Sequence, residues 1–245
     1  MIKALFFDLD GTLLPLDQDT FTNAFIGLIA GRFGNIPAWG GKAFLGIMMR
    51  SVESVVRNDG SLSNEDRFWL TMETMLPGKT KEIREAFLDF YATGFADAKA
   101  VTFPDARIPA FVSGWKQKGY RLFCATSPIF PLFVQEMRLR WAGFEEPSDW
   151  FEDITGSENC SFCKPNPDYY RDLCARSGLQ PEDCLMIGND ADEDGSAADA
   201  GMSFFLLTDH MLNRKQKDLS AVPRGTWADL RSMLEDRTGS CLTKG

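Results

Sequence analysis

The stretch FFDLDGTLL, residues 6–14, ends an apolar run on two aspartates, Asp8 and Asp10, and follows them with Gly11 and Thr12. Carboxylates are depleted in strands and are seldom buried unpaired. A buried strand over residues 2–8 that stops on such a pair reads as a support for chemistry at its end. With strand geometry continued, Asp8 and Asp10 project from the same side.

Outward from this strand the chain shows two patterns. Residues 15–100 read as helix almost throughout, over 17–30, 42–57, 63–75 and 79–98, with a loop at 34–41 and a turn at 58–60. Ser63, with Asp66 after it, resembles a helix N-cap with an acidic partner. Beyond residue 100, strands over 120–126, 151–155, 184–188 and 202–208 alternate with helices over 109–117, 132–141, 168–177, 196–200 and 226–235. Residues 237–245 are expected to fray. The alternation predicts right-handed crossovers and a doubly wound, Rossmann-like parallel sheet of the α/β class. The expected division is an α/β core of residues 1–14 and 101–245, with a helical domain of residues 15–100 inserted after the first strand.

At 245 residues the chain can bury a core domain and a smaller appendage. Its net charge of −9 argues against broad binding to nucleic acid or to anionic membranes. The apolar stretch 21–49 is broken by Arg32, Asn35 and Lys42, so it reads as a packed helix and not a membrane span. No basic region precedes an apolar run at the N-terminus, so no signal peptide is expected. Six cysteines without such a signal fit reduced thiols in a cytoplasm. A monomer or homodimer is expected.

Sites in open parallel sheets lie beyond the carboxyl ends of the strands. Those ends carry Asp8 and Asp10, then Thr126 and Ser127, then Asn189, Asp190, Asp192 and Asp194, with Lys164 in a loop between the last two groups. So many carboxylates at one edge need a compensating charge. A hard cation with oxygen ligands, Mg²⁺ above all, supplies it. Lys164, the Thr126 hydroxyl and backbone N–H groups around Gly11 complete a site suited to a phosphoryl group. Asp8, shielded by the metal, can then attack phosphorus and form an aspartyl phosphate. Each feature alone has a plainer reading: a turn, a helix cap, a solvated lysine, a solvated acidic loop. Their common position at one end of one inferred sheet favours the chemical one.

FFDLDGTLL, CATS, CKPNP and IGNDADED together resemble the four motifs of the haloacid dehalogenase superfamily. The resemblance implies that Asp8 is the nucleophile. It implies that Asp10 is the general acid and base and offers its backbone carbonyl to Mg²⁺. Thr126 and Lys164 would be the catalytic hydroxyl and lysine, with Gly11, Thr126, Ser127 and Lys164 around the phosphate. Asp190 and Asp194 would join Asp8 and Asp10 on the metal. The family's Gly-Asp is here Gly188-Asn189-Asp190, so ligation is open among Asp190, Asp192 and Asp194. The insert resembles the family's C1 cap, with Arg32, Trp39, Lys42, Arg50, Arg57 and Arg67 as candidate specificity residues.

The implied activity is a phosphatase acting on a small-molecule phosphate monoester. Asp10 argues against dehalogenation, since a departing halide needs no proton. Phosphonate cleavage would require a Schiff-base lysine, and no cap lysine is marked by its context. A sugar phosphate mutase or another phosphotransferase of the family shares every core motif. A receiver-like phospho-acceptor module uses similar groups, but in a different order and without a helical insert. His210 is the only histidine, which leaves no histidine-activated nucleophile expected. Cys160 and Cys163 read as two ordinary thiols, with a redox brake on Lys164 as the sharper alternative.

Overall fold

The computed structural model describes residues 2–239. The first strand, β1 (Ala4–Phe7), leads into a run of helices: α1 (Gln18–Phe33), α2 (Phe44–Val56), α3 (Asn64–Met75) and α4 (Thr80–Thr93). The alternating part follows as α5 (Arg107–Gln117), β2 (Arg121–Cys124), α6 (Leu132–Trp141), α7 (Pro147–Trp150), β3 (Asp153–Ile154), α8 (Pro167–Arg176), β4 (Cys184–Gly188), β5 (Ser203–Leu207), β6 (Arg224–Gly225) and α9 (Trp227–Gly239). Residues 240–245 of the tail expected to fray lie outside the described residues.

The strands form one parallel sheet in the order β3-β2-β1-β4-β5-β6. This is the expected α/β, Rossmann-like sheet, extended by the two-residue β6, which is too short to show a pattern in sequence. Strand periodicity explains why both faces are covered. Ala4 and Phe6 of β1, with Cys184 and Met186 of β4, pack into one apolar cluster. Leu5 and Phe7, with Leu185 and Ile187, pack into the other. In β1, Phe7 lies level with Cys124 of β2 and with Ile187 of β4, so three strand ends arrive abreast.

The expected continuation of strand geometry to Asp10 does not occur. β1 stops at Phe7, and the chain folds into a tight turn held by Leu14 N donating to Leu9 O at 2.8 Å. Asp10 is therefore placed by that turn and not by strand alternation.

The helical run has its own aromatic centre. Phe33 stacks on Phe87 at 4.9 Å and meets Phe44 and Phe90 edge-on at 5.9 and 5.7 Å. The two chain passages joining it to the sheet run side by side, with Phe103 N donating to Pro15 O at 2.8 Å. The start of α3 is fastened to the loop ahead of α8. Ser63 caps α3 by accepting from Asp66 N at 3.0 Å, as its sequence indicated. The next residue, Asn64, is fully buried, and its amide donates to Pro128 O and Phe162 O. An unmet amide buried there would cost about 1–3 kcal/mol, so these bonds fix the helical run against the loop that carries Lys164.

Candidate active site

Asp8 directly follows β1, and its own N–H is held by Ile187 O of β4 at 2.9 Å. Lys164 reaches it from the CKPNP loop. Asn166 of that loop caps α8 by accepting from Asp168 N, and Pro167 occupies the first helical turn. Lys164 Nζ lies 2.8 Å from Asp8 Oδ1 and 2.6 Å from Asp194 Oδ1, and the lysine is 2% exposed. Burial presses Lys164 down, but the carboxylates of Asp194 and Asp8 outweigh it and hold the ammonium charged well above the usual lysine range. Burial raises the Asp8 carboxyl, and Lys164 pulls it back. Burial likewise lifts Asp194 to about 7 against the pull of Lys164.

Asp194 comes this close because Gly188 ends β4. A Cβ there would sit 2.0 Å from Asp194 Oδ2. That oxygen accepts from Asp190 N at 2.9 Å, which folds the acidic loop back on itself. The same loop is buttressed by Tyr170, whose hydroxyl donates to Glu193 O at 3.0 Å. Tyr169 does the same for the β2 end, donating to Thr126 O at 2.9 Å.

A pocket of about 320 Å³ opens over these groups. Asp8, Asp10, Thr126, Ser127, Lys164, Asp190 and Asp194 all line it, so of the candidates outside residues 15–100 the structure brings together all but Gly11 and Asp192. Gly11 was expected to offer its N–H to phosphate. It instead donates that N–H to Leu14 O at 2.9 Å. Its value is steric: φ is +75°, and a Cβ would fall 2.4 Å from the Asn189 amide nitrogen. Asp192, left open as a ligand, faces the other way. Its Oδ2 accepts from Lys215 N at 3.1 Å and its Oδ1 lies 3.5 Å from Lys217 Nζ.

Two residues at the site, Arg138 and Glu193, were not singled out from the sequence. Arg138 of α6 is 1% exposed, and its guanidinium donates to the Asp10 carboxylate. It also donates to Gln135 Oε1 at 2.8 Å, while its Nε has no hydrogen-bond partner. Phe21 and Phe130 flank it, each ring centre 5.1 Å away. Burial presses this guanidinium down to about 10, which leaves it charged at neutral pH. A signal was present: Val134, Arg138 and Trp141 share one helical stripe and all three are buried. Glu193 lines the pocket, accepts from Ser127 Oγ at 3.0 Å, and is raised by burial. Asn189 accepts from Thr12 Oγ1 at 3.1 Å and donates to His210 O at 2.7 Å. The lone histidine thus supports the site through its backbone.

The pocket floor carries Asp8, Asp10, Asp190, Glu193 and Asp194 against Lys164 and Arg138. Carboxylates outnumber cations, and burial penalises the ionisation of Asp8, Glu193 and Asp194. That donor set fits a hard divalent cation. Among the described residues no three acidic, cysteine or histidine side chains are already gathered as a metal cluster.

None of Arg32, Trp39, Lys42, Arg50, Arg57 and Arg67 lines this pocket. Arg32 pairs with Asp89, Arg57 with Glu53, and Arg67 with Asp59. Trp39 is buried and donates to Glu82. Cys160 and Cys163 are 4% and 2% exposed, and both are free thiols.

The model of the haloacid dehalogenase-like hydrolases matches residues 2–201. A glyceraldehyde 3-phosphate phosphatase of Methanothermobacter thermautotrophicus is 26% identical over 226 residues, covering 86% of this chain and 88% of that protein. A phosphoglycolate phosphatase of Nitrosospira multiformis is 25% identical over 208 residues, covering 84% and 83%. The solved structure of a predicted phosphoglycolate phosphatase from Haemophilus somnus superposes with a TM-score of 0.59 at 17% identity, covering 95% of this chain and 98% of that one. Among the described residues no helix is long and apolar enough to cross a membrane.

Proposed function

This chain belongs to the haloacid dehalogenase-like hydrolase family, and from that premise we propose that it is a Mg²⁺-dependent phosphatase that hydrolyses a small-molecule phosphate monoester through an aspartyl phosphate. The observation that carries the reading is Lys164, charged and buried, bridging Asp8 and Asp194 on the floor of a pocket that also holds Asp10 and Thr126. The relatives named as phosphatases of small phosphate esters support it.

Asp8 attacks phosphorus in line, and its new O–P bond forms as the bond to the alcohol oxygen breaks. Lys164, the Thr126 hydroxyl and Ser127 hold the phosphoryl oxygens and take up the charge that develops there. Asp10 gives a proton to the departing alkoxide. It then takes one from the water that attacks the aspartyl phosphate, and inorganic phosphate leaves. Asp8, the Asp10 carbonyl, Asp190 and Asp194 are the groups that would hold Mg²⁺, with Glu193 beside them. The ion would neutralise the carboxylates and the incoming phosphate.

The helices of residues 15–100 act as a cap that shuts water out of the pocket. Buried, unpaired thiols fit the cytoplasm as the compartment. Phosphate release from a panel of monoesters, with and without Mg²⁺, tests the reading. Release that depends on both Mg²⁺ and Asp8 supports it, and the absence of release from every ester, including p-nitrophenyl phosphate, refutes it.

A further inference from the structure

The walls above the carboxylates differ in character from the floor. The residues that α1 and α2 present to the catalytic pocket are Gln18, Phe21, Thr22, Phe25, Ile26, Met48, Met49, Val52 and Val56, with no charge among them. A second cavity of about 230 Å³ lies against the first and shares Phe25, Met48, Val52, Ile129 and Phe130 with it. Its further walls include Phe68, Trp69, Phe87, Leu88 and Phe133, from α3, α4 and α6.

Exposed apolar side chains gather here too. Among the described residues, the large hydrophobic ones left exposed are Met49, Val56, Leu70, Leu88, Phe103, Ile129, Phe133 and Met211. Met49, Val56, Leu88, Ile129 and Phe133 line one cavity or the other. Apolar surface concentrated at one place, and adjoining a reactive centre, marks a binding site.

The cations give the complementary evidence. Lys164 is held by Asp8 and Asp194, and Arg138 by Asp10. Arg84, which lines the second cavity, pairs with Glu65 at 2.8 Å and covers the Trp69 ring at 4.7 Å. Arg214, which lines the first, pairs with Asp19. Every cation among the described residues lining the two cavities already has a carboxylate partner. A substrate with a second anionic group would have to displace one of them.

We infer that the substrate is the phosphate monoester of an apolar alcohol, an alkyl chain or aromatic ring without a second anionic group. Its phosphate lies over Asp8 and its apolar part runs between Phe25, Val52 and Phe130 into the second cavity. The inference rests on the phosphatase reading above and narrows its substrate. It sets this chain apart from relatives named for glyceraldehyde 3-phosphate and phosphoglycolate.

The test is a series of ethyl, butyl, hexyl and octyl phosphates with the full chain and Mg²⁺, beside 2-phosphoglycolate and acetyl phosphate. The alkyl esters have leaving groups of similar basicity, so kcat/KM reads the apolar contact. Each methylene taken out of water is worth about fourfold, which gives a rise on the order of 100-fold from ethyl to hexyl phosphate. Leu88→Glu, at an exposed position on the second cavity, should cut the hexyl-to-ethyl ratio about tenfold, with folding checked by circular dichroism. Acetyl phosphate is too small to reach that cavity and reports the chemistry alone. Its hydrolysis, with a flat or falling alkyl series and preferred phosphoglycolate, overturns the apolar assignment and leaves the phosphatase reading standing. No release from any ester or from acetyl phosphate overturns both.

Discussion

The guanidinium of Arg138, buried in α6, donates to the carboxylate of Asp10 in the turn after β1. The pair joins the proposed proton-transfer group to a helix that also lines the pocket. The pairing fixes the position of the Asp10 carboxylate over the pocket, where both proposed proton transfers take place.

Arg138→Met should therefore slow turnover by about 10- to 100-fold, the usual penalty for a misplaced catalytic group. An alkyl phosphate should lose more than p-nitrophenyl phosphate, whose leaving group needs no proton. Arg138→Lys keeps the charge but not the two-armed geometry, and should recover only part of the loss. Equal losses on the two esters in kcat/KM, which reads only as far as the phospho-enzyme, would deny Arg138 a positioning role.

On the proposed reading, the excess of carboxylates lets a bound metal stabilise the fold as well as serve the chemistry. Without divalent cation, ester hydrolysis should stop, and Mg²⁺ should restore it. Mg²⁺ at about 100 times its Kd should also raise the melting temperature by about 5–10 °C, from about 2.7 kcal/mol of binding linkage. Ca²⁺ should raise the melting temperature yet inhibit, since its longer and more numerous bonds invite bidentate capture of Asp8. Full turnover in excess EDTA would remove the metal from the account.

Gly11→Ala tests the turn that sets Asp10. The positive φ and the approach of Asn189 both oppose a side chain. A loss of about 2–4 kcal/mol is expected in urea unfolding, at an unchanged m-value. Gly27→Ala in α1 meets nothing within 4 Å and serves as the control, neutral or mildly stabilising.

The sheet was legible because its strands are short apolar runs buried on both faces, and because Asp8, Thr126 and Asp190 punctuate their ends. Asp8, Thr126 and Asp190 converge because parallel register brings the ends of β1, β2 and β4 to one edge. Long-range pairing was not legible. Arg138 in MRLRW resembles a surface arginine until the apolar stripe it shares is known to face Phe21 and Phe130. Asp192 and Asp194 alternate in one acidic run, and only the folded loop, with room for Asp194 beside Gly188, turns one toward Lys164 and the other toward Lys217. The charged residues of the helical run drew attention by their chemistry, but the pocket is lined by its apolar side chains.

Cys160 and Cys163 should behave as inert thiols. Burial pushes both up to about 12, with Arg176 opposing the shift at Cys160 and the neighbouring Cys160 adding to it at Cys163. In the folded chain they keep their protons where unfolded thiols, near 9, have lost them. Stability from this source is therefore intact below about pH 9 and declines as pH rises toward about 12. Thiol titration at pH 8 should label neither until denaturant is added. Fast native labelling of either would reopen the redox brake on Lys164.

The central claim is that Asp8 carries the phosphoryl group and Asp10 moves the protons. Rapid-quench kinetics of Asp10→Asn with p-nitrophenyl phosphate, followed by intact-mass and peptide analysis, test it most directly. The aryl ester should still phosphorylate Asp8, because nitrophenolate leaves unaided, and the aspartyl phosphate should then persist without its base. A burst of about one nitrophenolate per site is expected, then a slow phase, with a phosphate adduct on the peptide bearing Asp8 that is absent in Asp8→Asn. Burst-free kinetics without an adduct, or turnover surviving in Asp8→Asn, would contradict it.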